Sequence, residues 1–137
     1  MSRTNTTPKI LYVDDDSDDC VLLTESFSSS DSTTDFICAG GGEEAINYLN
    51  SVGHEALPSL IILDLNMPKL DGRKTLSYIK SHPGLADIPV VILSTSENKS
   101  DKEVCTKLGA AFYFQKPFHY EGYKDIVKDC LPLLKIL

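Results

Sequence analysis

The chain has 137 residues, with 20 acidic and 13 basic side chains, a net charge of −7 and a hydrophobic share of 42%. That length fits one compact domain, and the apolar share is enough for a real core. The negative balance excludes a sequence-independent grip on nucleic acid or anionic lipid, since both need positive charge. No apolar run reaches about 18 residues, so no membrane span is expected. The polar start "MSRTNTTPK" lacks the apolar stretch of a signal peptide, which predicts a cytoplasmic protein. Cys20, Cys38, Cys105 and Cys130 are scattered without a C-x-x-C pair, and in a cytoplasmic chain they read as small buried apolar groups.

Residues 1–8 are polar and end at Pro8, which predicts a flexible tail before a single domain over 9–137 with no output domain. Lys9–Val13 reads as a strand. Ser17 is a candidate helix cap, and Cys20, Leu23 and Phe27 follow on one helical face. A polar loop, "SSSDSTT", leads to a short strand at Phe36–Ala39. Three glycines then precede a helix over about 43–50 with Ile46 and Leu49 inward. The unbroken run "LIILDL" predicts a strand covered on both faces. The turn "MPKLDG" follows, shaped by Met67 and Pro68, and then a helix with Leu76 and Ile79 on one side.

"VVIL" is the fourth strand, and the helix near 99–108 places Val104 and Leu108 inward, with Gly109 as its stop. "AFYF" is the fifth strand. The final helix puts Tyr123, Ile126, Val127, Cys130 and Leu134 on one stripe, and Pro132 is expected to end or kink it. Its tail "CLPLLKIL" is apolar enough either to pack back on the domain or to form a homodimer contact. His54, His82 and His119 fall in loops or at helix ends and read as solvent-exposed.

Five strand–helix units in alternation call for an α/β fold, a parallel sheet with helices on both faces joined by right-handed crossovers. Ligands of such sheets bind at the carboxyl ends of the strands. Those ends carry Asp14 and Asp15, Asp64, Ser94 and Thr95, and Lys116. Two carboxylates about 4 Å apart repel by roughly 4 kcal/mol at an effective dielectric near 20, so a cluster of three needs protons, a cation or wider spacing. An all-oxygen set with few ligands suits Mg²⁺ or Mn²⁺ completed by a phosphate oxygen. A lysine opposite would neutralise a further phosphate oxygen, leaving one carboxylate free as nucleophile. The residue types point to phosphoryl chemistry.

The blocks "VDDD", "LIILDLNMPKLDG", "VVILSTS" and "QKPF" resemble the four signature blocks of the response-regulator receiver family, over roughly residues 9–134. Asp64 precedes Ser94 by 30 residues and Lys116 by 52, both similar to that family. The short form and the wording "HPGLADIPVVILSTS" most resemble small stand-alone receivers associated with bacterial phytochromes. The resemblance implies a doubly wound flavodoxin-like five-stranded sheet of order 2-1-3-4-5. It implies that Asp64 is the phosphoacceptor, that Asp14, Asp15, Asp64 and the Asn66 backbone carbonyl hold the metal, and that Lys116 and Ser94 contact the phosphoryl group. Ser94 and Tyr113 would form the conformational switch, and the bond to the residue in the place of Pro117 is often cis in that family. The implied donor is a histidine kinase, with output through altered contacts on the face of the fourth helix, fifth strand and fifth helix, or through a histidine phosphotransfer protein. Asn66 and Ser96 would flank the path of hydrolytic water, and because Ser96 carries no acid or amide, slow to moderate loss of the phosphoryl group is expected. Asp16, Asp18 and Asp19 read as surface acids at a helix start, where the dipole stabilises them.

Three rivals fit less well. A calcium-loop register from Asp14 has Asp19 where glycine is needed and follows a strand. An aspartyl-nucleophile phosphatase needs an acid two residues on, and Asn66 stands there after Asp64. A receiver-like module that binds but is never phosphorylated is expected when metal or acceptor residues are lost, and none is lost here.

Overall fold

A computed structural model describes residues 8–30, 34–67 and 71–134, except for the side chain of Ser30. The expected tail over 1–8 and the turn residue Pro68 therefore lie almost wholly outside the described residues, as does the end of the apolar tail. The strands are β1 (Lys9–Val13), β2 (Asp35–Ala39), β3 (Leu60–Leu63), β4 (Val90–Ser94) and β5 (Phe112–Gln115). The helices are α1 (Ser17–Ser30), α2 (Gly42–Ser51), α3 (Gly72–Ser81), α4 (Lys99–Lys107) and α5 (Gly122–Leu134), with a single 3₁₀ turn at His54–Ala56. All strand pairings are parallel, and the order is β2-β1-β3-β4-β5, as expected.

Strand side chains alternate between two cores. Leu11, Val13, Ile61, Leu63, Val90 and Ile92 face α2, α3 and α4, where they meet Ala45, Leu49, Leu76, Ile79 and Cys105. Ile10, Tyr12, Leu60, Ile62, Val91 and Leu93 face the other way, onto Leu23 and Phe27 of α1 and the inner stripe of α5. Every residue of β3 and β4 is buried, which is why those segments read as continuous apolar runs. The five-residue stripe expected on α5 is buried in full. No helix of the described residues is long and apolar enough to cross a membrane.

Several local expectations need correction. The α1 cap is Asp16, one residue before Ser17: its Oδ1 accepts the N–H groups of Asp18 at 2.9 Å and Asp19 at 3.4 Å. In α4 the buried residue is Cys105, while Val104 is 41% exposed and Leu108 is half-buried, although the helix begins at Lys99 as expected. Gly109 does stop that helix, with φ of +107°. Pro132 sits inside α5, which continues to Leu134; near a helix end few intrahelical bonds remain to lose. Cys130 and Leu134 pack on the α1 side of the sheet, and Leu131 and Leu133 lie against the same cluster, so the described part of the tail folds back. The peptide bond to Pro117 is trans, the lower-energy isomer. His54 and His119 are exposed, but His82 is half-buried, stacked on Tyr78 with ring centroids 3.8 Å apart.

The cysteines divide into two pairs. Cys105 and Cys130 are buried free thiols, as expected. Cys20 and Cys38 are joined as a disulfide between α1 and β2, with Cα atoms 6.3 Å apart. Sequence distance hid this pair, because β2 lies beside β1 and brings Cys38 under the first turn of α1.

Candidate functional site

The sheet register places the acids. Val13 and Leu63 are paired neighbours on β1 and β3, so Asp14 and Asp64 leave the sheet side by side. Backbone bonds hold the strand ends: Asp64 N–H donates to the Val13 carbonyl at 2.9 Å and Asp14 N–H to the Ala39 carbonyl at 3.0 Å. On the other side, Lys116 N–H donates to the Ser94 carbonyl at 2.8 Å. Gly72, the first residue of α3, lies directly against the Asp64–Leu65 backbone. A Cβ there would overlap the Asp64 carbonyl oxygen and lie 2.7 Å from Leu65 Cα, so only glycine lets α3 start at this depth.

The result is an open cavity of about 480 Å³ lined by Asp14, Asp15, Asp64, Asn66, Thr95 and Lys116, with Asp16 and Ser17 at its edge. Asp14 and Asp64 are each 5% exposed, whereas Asp15 and Asn66 are open to solvent. One oxygen from each of Asp14, Asp15 and Asp64 lies within 4.8 Å of the others. Three converging carboxylate oxygens, two of them from buried residues, fit a hard divalent cation, and among the described residues no histidine or cysteine joins the set.

Lys116 supplies the countercharge. Its Nζ donates to Asp14 Oδ2 at 2.8 Å and to Asp19 Oδ2 at 2.7 Å, and lies 3.8 Å from Asp64 Oδ2. Burial alone would depress this ammonium, but the bonds to Asp14 and Asp19 outweigh it and hold the pKa well above the ordinary lysine range. Asp14 is also gripped by the Tyr12 hydroxyl at Oδ2 and by Asp16 N–H at Oδ1, 3.0 Å. Burial, reinforced by that bond to Asp14, pushes the Tyr12 hydroxyl far up.

Asp64 itself is pushed up to about 6, first by burial and then by the Asp14 charge, against the opposing pull of Lys116 and the Asn66 N–H. An acid whose folded pKa exceeds its ordinary value of 3.8 stabilises the fold only while protonated. Its contribution is full below pH 4 and is lost as pH rises through 6. We therefore expect Asp64→Asn to be more stable than wild type in chelator at pH 7.5, by about 1–2 kcal/mol, with the gap closing below pH 4. Urea unfolding across that range checks this; a gap that does not vary with pH would refute the assignment.

Ser94 is fully buried, and its Oγ accepts the Ser96 N–H at 3.2 Å; Thr95 is the residue that lines the cavity there. Tyr113 is half-buried, and its hydroxyl donates to the Ser96 carbonyl at 3.1 Å. Ser96 Oγ donates to Asp101 at 2.7 Å, and Asp101 in turn pairs with Arg73 of α3. Asp19 and Tyr12 are the participants that the sequence reading missed. The place of Asp19 in an acidic run at a helix start suggests a surface acid, yet its side chain is only 17% exposed and holds Lys116. Its position three residues after Asp16, on the first helical turn, was the available signal.

The chain is similar to known proteins over most of its length. The family model for the response regulator receiver domain matches residues 10–128. The response regulator Rcp1 of Synechocystis sp. is 37% identical over 132 residues, covering 93% of this chain and 88% of that protein. The probable methanogenesis regulatory protein FilR2 of Methanothrix harundinacea is 33% identical over 122 residues, 88% of this chain and 79% of its own. Among solved structures, the phosphorylated cyanobacterial phytochrome response regulator RcpA superposes with a TM-score of 0.81 at 38% identity, covering 90% of this chain and 91% of its own. The Mn²⁺-bound form of Rcp1 gives 0.83 at 33% identity, covering 95% and 96%.

Proposed function

The chain belongs to the response regulator receiver domain family, and from that premise we propose that Asp64 accepts a phosphoryl group from the phosphohistidine of a sensor kinase. The observation that carries the reading is the convergence of the Asp14, Asp15 and Asp64 oxygens within 4.8 Å, with Lys116 beside them. An Asp64 oxygen attacks phosphorus, the P–N bond to the imidazole breaks, and a P–O bond forms. The leaving imidazole takes up a proton. At neutral pH most Asp64 is ionised, as a nucleophile must be, because its pKa of about 6 lies below the working pH. Asp14, Asp15, Asp64 and the Asn66 carbonyl would hold Mg²⁺ or Mn²⁺, whose positive charge would offset the negative charge on the transferring phosphoryl oxygens. Lys116 offers a second positive charge to the same oxygens.

Ser94 and Tyr113 are proposed as the switch. Both bond to Ser96, one at its N–H and the other at its carbonyl, so a Ser94 hydroxyl that turns toward the phosphoryl group releases one end of a connected pair. The likeness to RcpA, a cyanobacterial phytochrome response regulator, favours a phytochrome-type histidine kinase as donor. The test is incubation with acetyl phosphate and Mg²⁺ followed by intact mass measurement. Wild type is expected to gain one phosphoryl group and Asp64→Asn none; an unmodified wild type, or an equal adduct on the variant, would overturn the proposal.

A further inference from the structure

Lys116 is shared unequally among three carboxylates. Its Nζ sits 2.7 Å from Asp19 and 2.8 Å from Asp14, but 3.8 Å from Asp64, beyond hydrogen-bond distance. The Lys116 and Asp19 side chains are 12% and 17% exposed, so water screens their attraction only in part. We propose that Asp19 is a positioning residue that holds the Lys116 ammonium on the α1 side of the cavity, so that loading Asp64 requires Lys116 to give up that carboxylate. The inference rests on Asp64 being the acceptor.

The surroundings of Asp19 fix which partner moves. Its N–H faces the Asp16 cap, and the next residue, Cys20, is tied to Cys38 on β2. The Asp19 backbone is thus held in the first turn of α1, and its short side chain can follow the lysine only a little way. Lys116 has four methylenes of freedom beyond the end of β5. Phosphorylation of Asp64 replaces a monoanion by a group carrying close to two charges, which pulls the ammonium off Asp19. Asp19 then retains only the weak support of the α1 dipole. The carboxylate thereby opposes the loaded state and favours the unloaded one.

The experiment compares phosphorylation rates in acetyl phosphate and Mg²⁺ for wild type, Asp19→Asn, Asp19→Glu and Asp18→Asn. Asp18 is exposed on the same helical turn and carries the same charge without touching Lys116, so it controls for net charge. Asp19→Asn is expected to load about 3- to 10-fold faster, Asp18→Asn within about twofold of wild type, and Asp19→Glu near the wild-type rate. A second readout needs no phosphoryl group: in metal-free protein, acylation of Lys116 by an amine-reactive ester, followed by peptide mass mapping, is expected to rise severalfold in Asp19→Asn alone. If wild type loads but Asp19→Asn matches or trails it, or if Asp18→Asn speeds up equally, the role given to Asp19 is wrong. If wild type does not load at all, the acceptor assignment fails first and this inference goes with it.

Discussion

Replacing Lys116 with methionine is expected to cost the metal-free protein about 3–5 kcal/mol of stability, the usual loss when one member of a buried ion pair is removed. Methionine keeps most of the side-chain volume, so the loss reports on charge. Asp14 is 5% exposed and would keep only the Tyr12 hydroxyl and the Asp16 N–H as partners. Asp19 and Asp64 would lose their nearby cation as well. Two conditions should restore stability: a saturating divalent cation, and a pH low enough to protonate one of the acids. Urea unfolding in chelator, in Mg²⁺ and at pH 5 checks all three. A loss below about 1 kcal/mol in chelator would mean that the acids are far better solvated than their burial implies.

Gly72→Ala is expected to be the most damaging single-methyl change in the chain. The added carbon would lie 2.7 Å from Leu65 Cα and 2.9 Å from the Asp64 carbonyl carbon. Both are backbone atoms of the strand end that carries Asp64, the proposed acceptor, so no side chain can swing away. Either α3 or the Asp64–Leu65 segment must shift, at about 3 kcal/mol or more. Phosphorylation of Asp64 should fall with it, since a displacement of even 1 Å at a reacting group is costly. Gly53→Ala is the control, with nothing within 4 Å of its Cβ, and should stay within about 0.5 kcal/mol of wild type. A Gly72→Ala protein that unfolds at the wild-type urea concentration would show that α3 is seated more loosely than these distances require.

Much of this is legible in the residues alone. Strands buried on both faces leave unbroken apolar runs, and β1, β3 and β4 announced themselves that way. The same rule put Asp14, Asp15, Asp64 and Lys116 at one edge, and they line one cavity. The α5 stripe was legible because five apolar residues share a helical period. What escaped depended on phase or on distance. The α1 cap is Asp16, one residue before the expected Ser17, and the inner face of α4 runs through Cys105, one residue after the expected Val104. Asp19 meets Lys116 across 97 residues, and Cys20 meets Cys38 through the neighbour relation of two elements. Helix periodicity tells which face is buried, but it cannot tell which polar group waits on the far side of a sheet.

The paired register of Val13 and Leu63 also sets a fixed gauge. Asp14 and Asp64 rise from adjacent hydrogen-bonded strands, whose spacing of about 4.8 Å belongs to the ladder and cannot be widened locally. Their α-carbons behave like the two posts of a vice bolted to one plate. Whatever motion follows chemistry at Asp64 must therefore run through the segments after Ser94 and Lys116, whose side-chain bonds can be exchanged, while the plate stays still.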